Sequence, residues 1–123
     1  MNAPIHAVVA SSAAVRALLQ PAAGPLRFYL FGMAPEKAVT PYAVWQTVGG
    51  EPENYLGDLP DVDNFTLQID AYADDQDTVP LVAKALRDAI EPRAHIVQWL
   101  GESKAQVGGR WRLAFRVDWI TPR

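Results

Sequence analysis

The residue types able to do chemistry are few and scattered. There are two histidines, His6 and His95, far apart in the chain, and no cysteine. No H-E-x-x-H pair is present, so the spacing gives no zinc site. Ser11, Ser12 and Ser103 lack the G-x-S-x-G setting of a nucleophile elbow. The pairs Gly49-Gly50 and Gly108-Gly109 close apolar runs and do not open a helix, so neither reads as a phosphate cradle. Asp58, Asp61 and Asp63 come nearest to a metal loop. Calcium loops alternate oxygen ligands around a glycine and close on a distant Glu. Here Gly57 precedes the acids and no glycine follows where one is needed. The expectation is no catalytic residue, no metal and no cofactor, with the aspartates on an exposed acidic loop. Trp45, Trp99, Trp111 and Trp119 invite a stacking platform, but such platforms come with a basic groove, and the middle of this chain is acidic.

Charge is the stronger signal. The 123 residues carry 11 basic and 14 acidic side chains, for a formal net charge of −3. Nine of the acids fall between positions 50 and 77: Glu51, Glu53, Asp58, Asp61, Asp63, Asp70, Asp74, Asp75 and Asp77. No Lys or Arg occurs from 38 to 83, whereas from Lys84 onward eight basic residues face four acidic ones. A split of this kind bears on association more than on fold. It suits head-to-tail assembly, the acidic part of one copy meeting the basic part of the next. A pI near 5.2 counts against a sequence-specific DNA binder.

The length fits one domain over 1–123, long enough for a core without disulfides or metal staples. Half the residues are apolar and a fifth charged, as in an ordinary globular chain. No apolar run reaches the ~18 residues of a spanning helix, and residues 1–10 lack the basic start of a signal peptide. The expectation is a soluble protein of a reducing compartment, with no membrane partner.

The elements that position these residues follow from periodicity and breakers. Residues 4–10 and 13–20 read as one broken helix or two short ones, Ser12 capping the second run before Pro21. Residues 26–31 and 42–48 read as strands, the second ended by Gly49 and Gly50. Residues 51–62 form a long acidic loop broken by Pro52, Gly57 and Pro60 yet carrying Tyr55 and Leu56. Residues 64–73 alternate cleanly: Phe65, Leu67, Ile69 and Ala71 face one way, Thr66, Gln68, Asp70 and Tyr72 the other. Residues 78–91 form the best helix, with Val79, Val82, Ala83, Leu86 and Ile90 in one stripe and Asp77 as its cap. Residues 96–100 are a short strand, 101–109 a turn, and 110–120 the last strand. Its Trp111, Leu113, Phe115, Val117 and Trp119 lie opposite Arg110, Arg112, Arg116 and Asp118. This order predicts a single α+β domain: a mainly antiparallel sheet of about five strands, with N-terminal helices and one amphipathic helix on its apolar face. Three arginines on one strand face must meet water, carboxylates or another subunit.

At Pro41-Tyr42-Ala43-Val44-Trp45-Gln46-Thr47-Val48-Gly49-Gly50 the chain resembles a known family. The likeness continues through Glu51-Pro52-Glu53-Asn54-Tyr55-Leu56-Gly57, through Asp63-Asn64-Phe65-Thr66-Leu67-Gln68-Ile69-Asp70-Ala71-Tyr72-Ala73, and into the Val-Ala-x-Ala-Leu-Arg of Val82 to Arg87. It is similar to the tail-completion proteins of long-tailed bacteriophages and prophages, the small head–tail joining and tail-terminator proteins. The resemblance implies a structural role with no catalytic residue. It implies a ring, commonly hexameric, at the head-proximal end of the tail, assembled in the host cytoplasm and carried in the virion. The implied partners are further copies of the chain, the tail tube protein and a head connector or head-closure protein, with DNA only as passing cargo. An acidic loop is compatible with a channel through which DNA slides, since basic linings hold phosphates tightly.

On this reading Tyr55, Leu56, Asp58, Asp61, Asp70, Arg110, Arg112 and Arg116 are the residues of the subunit or partner interface, and Asp70 pairs with one arginine across strands as an exposed ion pair. Two other readings compete. A small α+β ligand-binding dimer or enzyme needs a concave pocket with convergent polar groups, and no candidate set presents itself. A nucleic-acid-binding module would rest on the Arg110/Arg112/Arg116 face.

Overall fold

The computed structural model describes residues 3–22, 24–52, 62–104 and 109–122. Its elements in chain order are α1 (Ile5–Ala10), α2 (Ala13–Leu19), β1 (Phe28–Leu30), β2 (Tyr42–Pro52), β3 (Val62–Ala73), α3 (Thr78–Ile90), β4 (His95–Lys104) and β5 (Trp111–Pro122). The strands form one sheet in the order β1-β2-β3-β5-β4. β1 runs parallel to β2, and the other three pairings are antiparallel. This is the α+β domain expected from the order of elements.

The alternating pattern in β3 and β5 decides which face is buried. Leu67 stands opposite Val117, Ile69 opposite Phe115 and Ala71 opposite Leu113, and all six are buried. Apolar cross-strand pairs of this kind are the unit of sheet stability. The three helices cover this face. Val79, Val82, Ala83, Leu86 and Ile90 of α3 are buried, and α1 and α2 add Ile5, Val9, Val15 and Leu19 to the same cluster. Each of these valines, leucines and isoleucines contributes about 1.5–3 kcal/mol by leaving water. Trp119 lies in the core, and Trp45 and Trp111 pack against it.

Polar groups fix the helix ends and their seat on the sheet. The Ser12 Oγ accepts from the Val15 amide at 3.2 Å, capping α2 as expected. α3 departs from expectation: Asp77 makes no side-chain cap. Asp75 does the work instead, its Oδ1 accepting from the amides of Asp77 (3.0 Å) and Thr78 (2.7 Å) and its Oδ2 from the Thr78 hydroxyl (2.9 Å). Asp77 is itself in a helical conformation, so its carboxylate is poorly placed to reach back. Arg27 fastens the N-terminal helices to the sheet. Its Nε donates to the Pro41 carbonyl (2.8 Å) and its Nη2 to the Leu18 carbonyl (3.1 Å).

β2 and β4 outrun their expected ends by four residues each, both through glycines. β2 continues past Gly49 and Gly50 to Pro52, with a register shift between Thr47 and Gly49. A Cβ on Gly50 would stand 3.0 Å from the Asn64 carbonyl oxygen, so glycine here permits a close approach rather than a turn. β4 continues through Gly101, whose φ of +84° sits at a register shift between Trp99 and Gly101. Glycine in that conformation is a bulge device, which keeps the strand paired while bending it.

Candidate assembly interface

The helices all pack on one side of the sheet, and the opposite side is built from the even-numbered residues of β3 and β5 with their neighbours in register. Tyr72 lies across from Tyr42 and Arg112, Asp70 from Val44 and Ala114, Gln68 from Gln46 and Arg116, and Thr66 from Asp118. β4 adds Ser103 beside Arg112 and Gln98 beside Arg116. One alternation therefore places both the core and this polar face.

The polar side chains are joined. Arg112 Nε donates to the Ser103 hydroxyl at 3.3 Å, and its Nη1 stands 3.8 Å from Asp70 Oδ1. Gln68 Nε2 donates to the same Asp70 oxygen at 3.1 Å, while its Oε1 accepts from Arg116 Nε at 3.3 Å. Thr66 closes the row by donating to Asp118 at 2.9 Å. At the end of β2, Tyr42 stacks on Tyr72 with ring centroids 4.9 Å apart. Arg110 donates to the Tyr42 hydroxyl (3.1 Å) and to the Ala38 carbonyl (3.0 Å). Burial, followed by the neighbouring Asp70 carboxylate, raises the Tyr72 phenol above its ordinary value and keeps it neutral.

Asp70, Arg112 and Arg116 are thus brought together, with Arg110 at the margin over Tyr42. The expected exposed ion pair is corrected in one respect: Asp70 is only 6% exposed, walled by its strand neighbours and by Gln68. Arg112 engages that buried carboxylate. Among the described residues Arg110 and Arg116 have no carboxylate partner and are held by neutral oxygens alone. Tyr55, Leu56, Asp58 and Asp61 lie outside the described residues. Sequence reasoning missed Tyr42, Gln68 and Ser103 as partners. Gln68 shares Asp70's parity on β3, but Tyr42 and Ser103 depend on register across strands.

The face offers guanidinium donors, amides and aromatic edges, which suit recognition. Among the described residues no group of three or more His, Cys, Asp or Glu is arranged to hold a metal ion. No helix among them is long and apolar enough to cross a membrane. His6 lies on α1 with its ring 6.1 Å from that of Phe28, and His95 opens β4.

The chain has no match among curated proteins. A family model described as "Tail completion protein gp17" matches residues 3–121, which takes in every helix and strand described above save the last residue of β5. The chain belongs to this family of phage tail-completion proteins, structural components of tail assembly.

Proposed function

We propose that copies of this chain form a ring, a hexamer, at the head-proximal end of the phage tail. There it terminates the tail tube and joins it to the head connector or head-closure protein, with DNA passing through. The family match supports a role in tail assembly. The observation that carries the interface is the helix-free face on which, among the described residues, Arg110 and Arg116 hold only neutral partners. A guanidinium left with neutral acceptors still gains by meeting a carboxylate, and charge pairs desolvated at a boundary fix register and partner choice. The acid-rich stretch from 50 to 77 supplies such carboxylates from a neighbouring copy. Tyr55, Leu56, Asp58 and Asp61 belong to that contact in this reading, the apolar pair as anchor and the acids as charge partners.

The role has no turnover. Deleting the gene should leave filled heads and tails that do not join, or tails of uncontrolled length, in electron micrographs of lysates. Normal infectious particles from a clean deletion would refute it.

A further inference from the structure

The two edges of the sheet differ in kind and carry much of the exposed apolar surface. β4 is an edge strand of ten residues whose outer side has no strand partner among the described residues. Val97 is 50% exposed, Trp99 47% and Leu100 37%. A groove of about 530 Å³ opens between this strand and α3, lined in part by Arg87, Glu91 and Trp99. At the other edge β1 is only three residues long and covers β2 only from Ala43 to Trp45. Beside it Leu30, Phe31 and Met33 are 47%, 66% and 70% exposed. A long unpaired edge with large apolar side chains is a template for another strand, and exposed apolar clusters mark association sites.

Charge selects which edge meets which. The strands β2 and β3 carry Glu51, Asp63 and Asp70 and no Lys or Arg, a balance of −3. The strands β4 and β5 carry Lys104, Arg112 and Arg116 against Glu102 and Asp118, a balance of +1, and Arg110 just before β5 adds one more positive charge. The sheet is therefore acidic in its β2–β3 half and basic in its β4–β5 half. Joining two β4 edges about a two-fold axis would set basic half against basic half. Joining β4 to the opposite edge of another copy sets basic against acidic.

We infer that copies of this chain join head to tail through opposite edges of the sheet, the free edge of β4 in one copy lying along the β1–β2 edge of the next. The contact is heterologous, since each copy uses a different surface toward each neighbour, and such contacts build rings when the rotation closes. Backbone hydrogen bonds and the apolar side chains of both edges supply attraction, and the charged halves set the direction. The inference rests on the reading of a multi-copy assembly and adds the two sheet edges to the polar face already assigned to the contact.

The test is a pair of edge variants, Val97→Lys on β4 and Met33→Lys on the other edge. They are followed by sedimentation of the purified chain and by electron microscopy of tails complemented with each. Both residues are at least half exposed, so circular dichroism melts should match the wild type. If either variant fails to fold, Leu100→Lys or Phe31→Lys replaces it. Each variant alone should lose at least ten-fold in association and leave no ring on tails. An equimolar mixture should stop at dimers, because one intact junction remains between the unlike variants. Wild-type oligomers from either single variant would overturn the edge contact while leaving the ring reading intact. If Met33→Lys assembles and Val97→Lys does not, the contact is a two-fold β4 pairing and the inference falls. A wild-type chain that forms no oligomer in solution and no ring on tails overturns the ring reading itself.

Discussion

Asp70 Oδ1 lies 3.8 Å from Arg112 Nη1 along a diagonal of the sheet, one step off the register that sets Tyr72 opposite Arg112. The diagonal leaves Val44 and Ala114 as the direct cross-strand neighbours of the aspartate. Small apolar neighbours on both sides let Asp70 sink to 6% exposure, while Arg112 keeps 41% of its side chain in water.

Arg112→Glu sets a second carboxylate beside that buried one. Removing one partner of a buried pair costs up to several kcal/mol, and the exposed guanidinium lowers the figure here, so a loss of about 1–3 kcal/mol is expected. Urea unfolding of the isolated chain measures it. Combining Arg112→Glu with Asp70→Arg should recover part of the loss. A single variant as stable as wild type would show that the two groups do not interact.

Arg116→Glu behaves differently. Among the described residues its guanidinium holds only Gln68, so the isolated chain should keep its stability to within about 0.5–1 kcal/mol. Incorporation into tails should fall sharply, and more at low salt than at high. Quantitative electron microscopy of complemented tails decides it, and unchanged incorporation at both salt concentrations means this face is merely solvated.

Asp75→Ala should destabilise α3, seen as a lower melting temperature at neutral pH. Hydrogen bonds from the Thr78 amide and hydroxyl and the Asp77 amide hold the Asp75 carboxyl below its ordinary value of 3.8. A depressed folded pKa gives stability that is present above the unfolded value and lost as the pH falls through the folded one. The gap between wild type and variant should therefore be constant from pH 7 to about 5 and close progressively below about pH 4. A gap that persists at pH 2 would mean the effect is helix propensity, not the cap.

Arg27→Met removes two charge-assisted bonds, to the carbonyls of Pro41 and Leu18, and retains the apolar stem. A loss of about 1–3 kcal/mol is expected. Hydrogen exchange should localise it: amides of α1 and α2 should lose more protection than those of β3 and β5. Uniform loss across the sheet would show that the arginine supports the whole fold and not this joint.

The faces of β3, β5 and α3 were legible because alternation and the helical stripe are strict: Phe65 to Ala71, Trp111 to Trp119 and Val79 to Ile90 need no partner to be read. The same alternation put Arg112 and Arg116 on Asp70's face. Ends were harder. Gly49, Gly50 and Gly101 look like terminators in one dimension, but in the sheet they allow a close approach or a bulge, and both strands run on. The cap went to Asp75 and not Asp77 because the chain turns two residues early, which only backbone geometry reveals. The contacts of Arg110 and Arg27 reach across 72 and 14 positions of sequence to backbone carbonyls, and no residue type announces a carbonyl.

The sheet order has a bearing on how the chain is made. β5 follows β4 in the chain, yet it is seated between β3 and β4. Until residues 111–122 leave the ribosome, β4 has nothing to pair with and β3 lacks the neighbour that completes its apolar face. The stretch of chain between β3 and β5, which carries α3 and β4, must also be brought round before their contacts form, which slows folding of such non-local sheets. A nascent chain that has not yet made β5 therefore lacks the β5–β4 half of the sheet, and with it one of the two edges that a neighbour would meet.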